Sequence, residues 1–286
     1  MILPLNTIYK PNNYGPTKSV ALFTNARDET NIKEWAAHHL LIGFDKIIIF
    51  DHKSTTPLKQ VFHNFDRRVK IITAGRVNKN VKLTLMGVAA KVAKNMNVDW
   101  FIYLDADEFL VLNNKFVGVK HFLNHYQSAH SLGINWLFFG SNNHVNDPEG
   151  LILENYTKSA LTLDKHVKSF VRPNEVKQVI TPHFYEIRNK YRMFGTNKIL
   201  NNKIESFSFN STNIEYNNSP AYIAHYAWQS EETFKRRKIN LPRDDTGTYR
   251  GDNNAQHIHN SANNIENLYP KNKYAELVKK FLQNQK

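Results

Sequence analysis

The stretch Trp100-Phe101-Ile102-Tyr103-Leu104 is apolar without alternation and runs straight into Asp105-Ala106-Asp107-Glu108-Phe109-Leu110. An unbroken apolar run of this length reads as a buried strand, one whose two faces are both covered. The aspartates then lie at or just beyond its carboxyl end, the edge where open α/β sheets bind ligands. Two carboxylates placed two residues apart there can hold a divalent cation, which in turn holds a diphosphate. The segment predicts a metal-dependent enzyme working on a nucleotide-activated substrate.

The surrounding pattern agrees with such a sheet. After an irregular lead-in with Pro4, Pro11, Gly15 and Pro16, Ser19 to Thr24 reads as a first strand. Asn31 to Gly43 reads as a helix with Ile32, Trp35, Ala36, His39 and Leu40 on one face and Gly43 as its stop. Strands follow at Lys46–Phe50, Val69–Thr73 and Trp100–Leu104, with a helix at Lys82–Asn95. Strands alternating with helices predict an α/β fold, with a mainly parallel central sheet flanked by helices. A helix over Val119–Ser128 and a strand over Ile134–Phe139 come next. Beyond about residue 150 the pattern weakens. Lys165–Val171, Gln178–Ile187 and Ala221–Tyr226 predict a smaller mixed sheet, residues 196–220 a mobile loop, and Tyr274–Gln283 a terminal helix. The polar segment 242–264, with Gly247 and Gly251, predicts a lid that orders on binding.

Composition narrows the class. The formal charge is +13, but the lysines are scattered and the densest run, Lys235-Arg236-Arg237-Lys238, is short. That pattern suits anionic small substrates better than nucleic acid, and leaves room for peripheral membrane contact. With no cysteine there is neither a disulfide nor a thiolate metal site. Met1 to Leu5 lacks the build of a signal peptide, and no apolar run is long enough to span a bilayer. The expectation is a soluble, cytoplasmic protein.

Rival readings of the aspartate pair are a strand-end turn that caps the next element, and the phosphohydrolase motif of the HAD type. The latter belongs after the first strand, whereas three strand-like runs precede Asp105. Asp51, at the end of the second strand, can accept hydrogen bonds from a base or ribose, or can form a turn. Thr24-Asn25-Ala26-Arg27-Asp28-Glu29 can approach a nucleotide, or Asp28 or Thr30 can cap the helix. His225, in the apolar run Tyr222–Trp228, is a candidate third metal ligand or a core histidine. His257 and His259 form an alternative pair in a polar segment.

Taken together, these residues resemble glycosyltransferases of the GT-A fold, in particular the family 2-like and family 92-like group. Arg27-Asp28-Glu29 with Ile32 to Lys46 is similar to the family's opening and its "EW..HH...G" helix. Asp51-His52-Lys53-Ser54-Thr55 resembles "D-N-x-S-T", and Asp105-Ala106-Asp107-Glu108-Phe109 the metal motif. Ile134 to His144 resembles "W..FGS.GH", Lys168 to Pro173 "KSIVRP", and His225 to Phe234 "HY..RS...F". The chain departs at Asn142-Asn143 and at Gln229, which stands where arginine is usual.

The resemblance implies a GT-A, Rossmann-like domain over 1–286, with a nucleotide-binding half at 19–112, an acceptor-side half at 113–264 and a helical tail at 265–286. It implies a nucleoside-diphosphate sugar donor, expected to be a UDP-sugar, a glycan or other hydroxyl acceptor, and Mn²⁺ or Mg²⁺. Asp107 and His225 take the metal role, Asp105 a metal or ribose role, and Thr24, Arg27, Glu29, Asp51 and Lys82 the donor pocket. Transfer with inversion needs a carboxylate base, and Asp245, Asp244, Asp147 and Glu149 are the candidates, Asp245 first because the segment around it can close over the donor. Lys168, Arg172 and Arg237 are candidates to counter phosphate charge. The alternatives are a metal-dependent phosphohydrolase and a non-catalytic polyanion-binding module on the same fold.

Overall fold

The computed structural model describes residues 14–189, 191–200, 208–242, 248–249 and 259–285. The chain runs β1 (Val20–Ala26), α1 (Ile32–Leu41), β2 (Lys46–Asp51), α2 (Leu58–Val61), β3 (Val69–Thr73), α3 (Val81–Asn95), β4 (Trp100–Tyr103), β5 (Glu108–Leu112), α4 (Val119–His125) and β6 (Ser131–Phe138). It continues through α5 (Ile152–Asn155), β7 (Lys158–Ser159), β8 (Val167–Val171), β9 (Val176–Thr181), β10 (Phe184–Ile187), β11 (Arg192–Phe194) and β12 (Ile199–Leu200). The last elements are β13 (Ala221–His225), α6 (Glu231–Phe234), β14 (Ile265–Glu266) and α7 (Glu276–Gln283).

A ten-stranded sheet in the order β12-β11-β6-β8-β4-β1-β2-β3 forms the centre, with β13 and β5 attached beside β6. The half made of β4, β1, β2 and β3 is parallel throughout. β1, β2 and β4 are apolar without alternation because both faces are covered, whereas β3, at the sheet edge, is largely exposed. Val20, Leu22, Ile47, Ile49, Trp100 and Ile102 enter the core under α1. Their neighbours Ala21, Phe23, Ile48, Phe50, Phe101 and Tyr103 enter a second core with Leu85, Met86 and Ala89 of α3. Successive residues of one strand thus feed opposite layers, as the two-residue period requires.

Two strands assigned from sequence to a smaller sheet belong to the large one. β8 lies antiparallel between β4 and β6, and β13 runs antiparallel to β5 and parallel to β6. The small sheets are instead two antiparallel pairs, β9 with β10 and β7 with β14. Gln178–Ile187 is a hairpin turning at Pro182-His183, since proline cannot donate to a ladder. β5 is an element that the aspartates hid: after the turn at Asp105–Asp107 the chain becomes apolar again and forms a buried strand.

Among the described residues β5 has only β13 as a strand neighbour, and side chains of α1 satisfy its other edge. The Trp35 indole N–H donates to the carbonyl of Glu108 at 2.8 Å, and His38 Nε2–H to that of Leu110 at 2.9 Å. The amide of Leu110 donates to His39 Nε2 at 3.3 Å, while His39 Nδ1–H donates to the carbonyl of Trp35. The "EW..HH" pattern is therefore a clamp on the strand that follows the aspartates. Its glutamate, Glu34, accepts the amides of Ile152 and Leu153 at 2.8 and 2.9 Å and fixes the start of α5.

Burial lowers the His38 pKa to about 4 from 6.5, although its bond to Leu110 opposes the shift. The ring is neutral when folded and gains a proton on unfolding below pH 6.5. Its contribution to stability is therefore complete above pH 6.5 and lost as pH falls toward 4. Burial pushes Glu34 up to about 8, which works in the opposite direction, so the histidine ring itself is the readout. The His38 Cε1 proton should titrate near pH 4 by NMR. A midpoint near 6.5 would contradict the buried, neutral clamp.

None of the described helices is long and apolar enough to cross a membrane. The lid expected within 242–264 falls largely outside the described residues.

Candidate active site

The carboxyl ends of β1, β4 and β13 open onto one cavity of about 350 Å³. Asn25, Arg27 and Glu29 reach it from the end of β1, Asp105 and Asp107 from the β4–β5 turn, and His225 from the end of β13. Lys168 of β8 and Lys82, in the first turn of α3, approach from the side. After α6 the chain continues as a π-helical turn, Lys235–Ile239, that directs Arg237 and Lys238 inward. Wide turns of this kind recur at functional sites. The floor is the Trp136 ring, with Pro182 and His183 from the β9–β10 turn beside it.

Each carboxylate has its own cations. Asp105 is paired with Lys82 and lies 3.4 Å from Lys168. Burial alone would raise its pKa, but the two lysines outweigh it and hold the group well below the usual carboxylate range. Asp107 accepts from Arg237 at 3.0 Å and lies 3.8 Å from Lys238. There too burial is outweighed, by Arg237 and Lys238, and the pKa is lowered. Arg237 also forks onto Glu29 at 3.0 and 3.2 Å. Glu108 is fully buried and 3.4 Å from Lys168. Burial lifts its pKa to about 8 against the pull of that lysine.

His225 Nε2 stands 3.7 Å from Asp107 Oδ1, beyond hydrogen-bond range. Its ring packs on Trp136 at 4.4 Å and Phe138 at 5.2 Å. Burial lowers its pKa to about 4 although Asp107 opposes this, so a neutral imidazole faces a carboxylate. Its Nδ1 is buried with no hydrogen-bond partner among the described residues. Two ligands of one cation, each about 2.1 Å from it, can sit at such a spacing. No group of three or more His, Cys, Asp or Glu gathers into a full cage among the described residues. One carboxylate and one imidazole, with the other positions left to phosphate oxygens and water, would suit Mn²⁺ better than Mg²⁺, which prefers oxygen ligands alone.

Of the residues expected from sequence, Arg27, Glu29, Lys82, Asp105, Asp107, His225, Lys168 and Arg237 line this cavity. Others lie elsewhere. Thr24 is buried within β1, its hydroxyl bonded to the carbonyl of Asn25. Asp51 accepts the amides of Ser54 and Leu58 and so fixes the turn into α2. Arg172 is buried between the rings of Tyr14 and Trp100 and donates to the carbonyls of Ala129 and Gln127. Asp147 accepts from Ser230 and Thr233 at the start of α6, and Glu149 is exposed. His259 joins Ser141 to Glu231. Asp244, Asp245 and His257 lie outside the described residues.

Sequence reasoning missed Trp136, His183 and Lys238 as cavity residues. Trp136 looks like one more apolar residue of its strand, and His183 is marked only by the Pro182 before it. The departures at Asn142-Asn143 have a local reason. Both adopt positive φ, and Asn142 Oδ1 accepts the amides of Thr157 and Lys158. Gly140 beside them has no room for a side chain, since a Cβ would meet Asn263 and the backbone of Ala262.

The sequence pattern of glycosyltransferase family 92 matches residues 20–265, which include every cavity residue named above. The chain belongs to glycosyltransferase family 92, and it is a glycosyltransferase. No curated protein matches it. Among solved structures, similarity extends to HddC from Yersinia pseudotuberculosis, at 9% identity over 58% of this chain and 82% of that one, with a TM-score of 0.35. It also extends to a nucleotidyl transferase from Methanothermobacter thermautotroptrophicus, at 8% identity over 54% and 72% of the two chains, with a TM-score of 0.31.

Proposed function

We propose that the cavity binds a nucleoside-diphosphate sugar, a UDP-hexose in the first instance, and passes its sugar to a hydroxyl acceptor with inversion at the anomeric carbon. The observation that carries this reading is the convergence of Asp105, Asp107 and His225 with four cations, Lys82, Lys168, Arg237 and Lys238, at the carboxyl edge of a parallel sheet. A neutral ligand needs no such density of positive charge, whereas a diphosphate does.

In this reading Asp107 and His225 hold a divalent cation, Mn²⁺ or Mg²⁺, beside the diphosphate. Bound there, the ion would neutralise charge on the departing nucleotide. Arg237 and Lys238 sit on Asp107, and Lys82 and Lys168 on Asp105, and a diphosphate entering the cavity would share these side chains with the carboxylates they pair. Arg27 and Glu29, next to β1, border the nucleoside. Trp136 gives the sugar a flat apolar surface, and the acceptor enters from the side of Pro182 and His183.

Incubation with a panel of UDP- and GDP-hexoses, with Mn²⁺ or EDTA, tests the reading through nucleoside diphosphate release. One donor should be consumed in Mn²⁺ and spared in EDTA. Consumption of none of them, or release of inorganic phosphate from simple phosphate esters instead, would defeat it.

A further inference from the structure

The proton of the acceptor hydroxyl must go to a base in the cavity, and most carboxylates there are already engaged. Asp105 is paired with Lys82, Asp107 and Glu29 share Arg237, and Glu108 is fully buried. Asp147 is spent on the start of α6. His225 faces Asp107.

His183 differs from all of these. It is half-buried, lines the cavity and sits at the tip of the β9–β10 hairpin. Its Nδ1 lies 2.9 Å from the carbonyl of Val167. A carbonyl can only accept, so Nδ1 carries the proton and Nε2 carries a lone pair. That lone pair has no hydrogen-bond partner among the described residues. The backbone is pinned as well: the amide of His183 donates to Thr181 Oγ1 at 3.2 Å, and its carbonyl accepts from Ser169 Oγ at 2.9 Å. Val167 and Ser169 flank Lys168 on β8, so one strand fixes both the imidazole and the cation on Asp105. The Trp136 indole packs against both imidazoles, 5.3 Å from His183 and 4.4 Å from His225 by ring centroids, and is stacked on His166 at 5.0 Å. Asp107, Trp136 and His183 all line the same cavity.

We propose that His183 is the general base of the transfer, taking the acceptor's hydroxyl proton on Nε2. The proposal rests on the nucleotide-sugar reading above. In the step, the acceptor oxygen bonds to the anomeric carbon while the bond from that carbon to the diphosphate oxygen breaks, its electron pair leaving with the diphosphate. The hydroxyl proton moves to Nε2, and the imidazolium then gives it to water. Burial, reinforced by Lys168, lowers the His183 pKa to about 4, so the ring is neutral at pH 7, with a basicity in the carboxylate range. The charged and titratable groups around it are Lys168, His166 and, further off, Asp105.

His183→Asn is the informative variant. Asparagine keeps a donor where Nδ1–H stands and so can hold the Val167 carbonyl, but it offers no base. With the donor that wild type consumes, kcat should fall about 10²- to 10³-fold, while the KM for donor and the thermal shift caused by UDP with Mn²⁺ stay unchanged. His183→Gln carries the same expectation should the asparagine variant fail to fold. Turnover within threefold of wild type in a folded variant overturns the proposal and returns the role to Asp244 or Asp245. A wild type that neither binds UDP nor consumes any nucleotide sugar removes the nucleotide-sugar reading, and the base assignment with it.

Discussion

Asp107→Ala should lower turnover at least about 10³-fold, equivalent to ~4 kcal/mol of transition-state stabilisation. Asp107 is 2% exposed and touches Arg237, Lys238 and His225. Its loss takes away the anionic partner of His225, the one carboxylate within 4.0 Å of that imidazole among the described residues. The fold should survive, because Arg237 retains Glu29 and the backbone carbonyl of residue 107 still accepts the amide of Tyr226. Donor consumption and a Mn²⁺ titration of the same variant give the answer. An unchanged Mn²⁺ requirement, with turnover near wild type, would take Asp107 out of the site. His225→Ala should show the same loss in smaller measure.

Lys168→Met should be the most damaging cavity substitution for stability. Lys168 is 1% exposed and lies 3.4 Å from both Asp105 and Glu108. Breaking a buried ion pair by removing one partner leaves an uncompensated charge and costs on the order of 3–5 kcal/mol. Here the lower end applies, since Asp105 keeps Lys82 and Glu108, already pushed up to about 8, can take up a proton. For a chain of this size about 3 kcal/mol lowers Tm by roughly 5 °C. Lys168→Arg keeps the charge in a bulkier form and should lose less. A Lys168→Met melting temperature within 2 °C of wild type would contradict the view that this lysine compensates buried carboxylates.

Much of the architecture was legible because its strands carry it alone. β1, β2 and β4 are built on continuous apolar runs, and that pattern needs no tertiary information to read. β5 was hidden by the polar turn before it, and its buried edge is satisfied by Trp35, His38 and His39 rather than by a strand. β8 and β13 looked like pieces of a separate sheet because they lie far along the chain from their partners. Only packing reveals that they close the large sheet beside β4, β5 and β6.

The site divides in the same way. Asp105, Asp107 and His225 stand out as polar groups at the ends of apolar runs, and all three reach one cavity. Thr24, within β1, and Asp51, the last residue of β2, are on the right strands, but their side chains are used locally. Lys238 and His183 could not be found from spacing, since a π-helical turn and a hairpin tip direct them inward. Arg172 shows the reverse: a basic residue beside a buried lysine, yet packed between two aromatic rings away from the cavity.

Calorimetric titration of the wild-type protein with UDP, in Mn²⁺ and in EDTA, tests the cation-assisted diphosphate site most directly. Asp107 and His225 holding a cation beside the diphosphate, with Lys82, Lys168, Arg237 and Lys238 around it, predicts measurable binding in Mn²⁺ that weakens at least about tenfold, or ~1.4 kcal/mol, in EDTA. Equal affinity in the two conditions, or no binding in either, would contradict it.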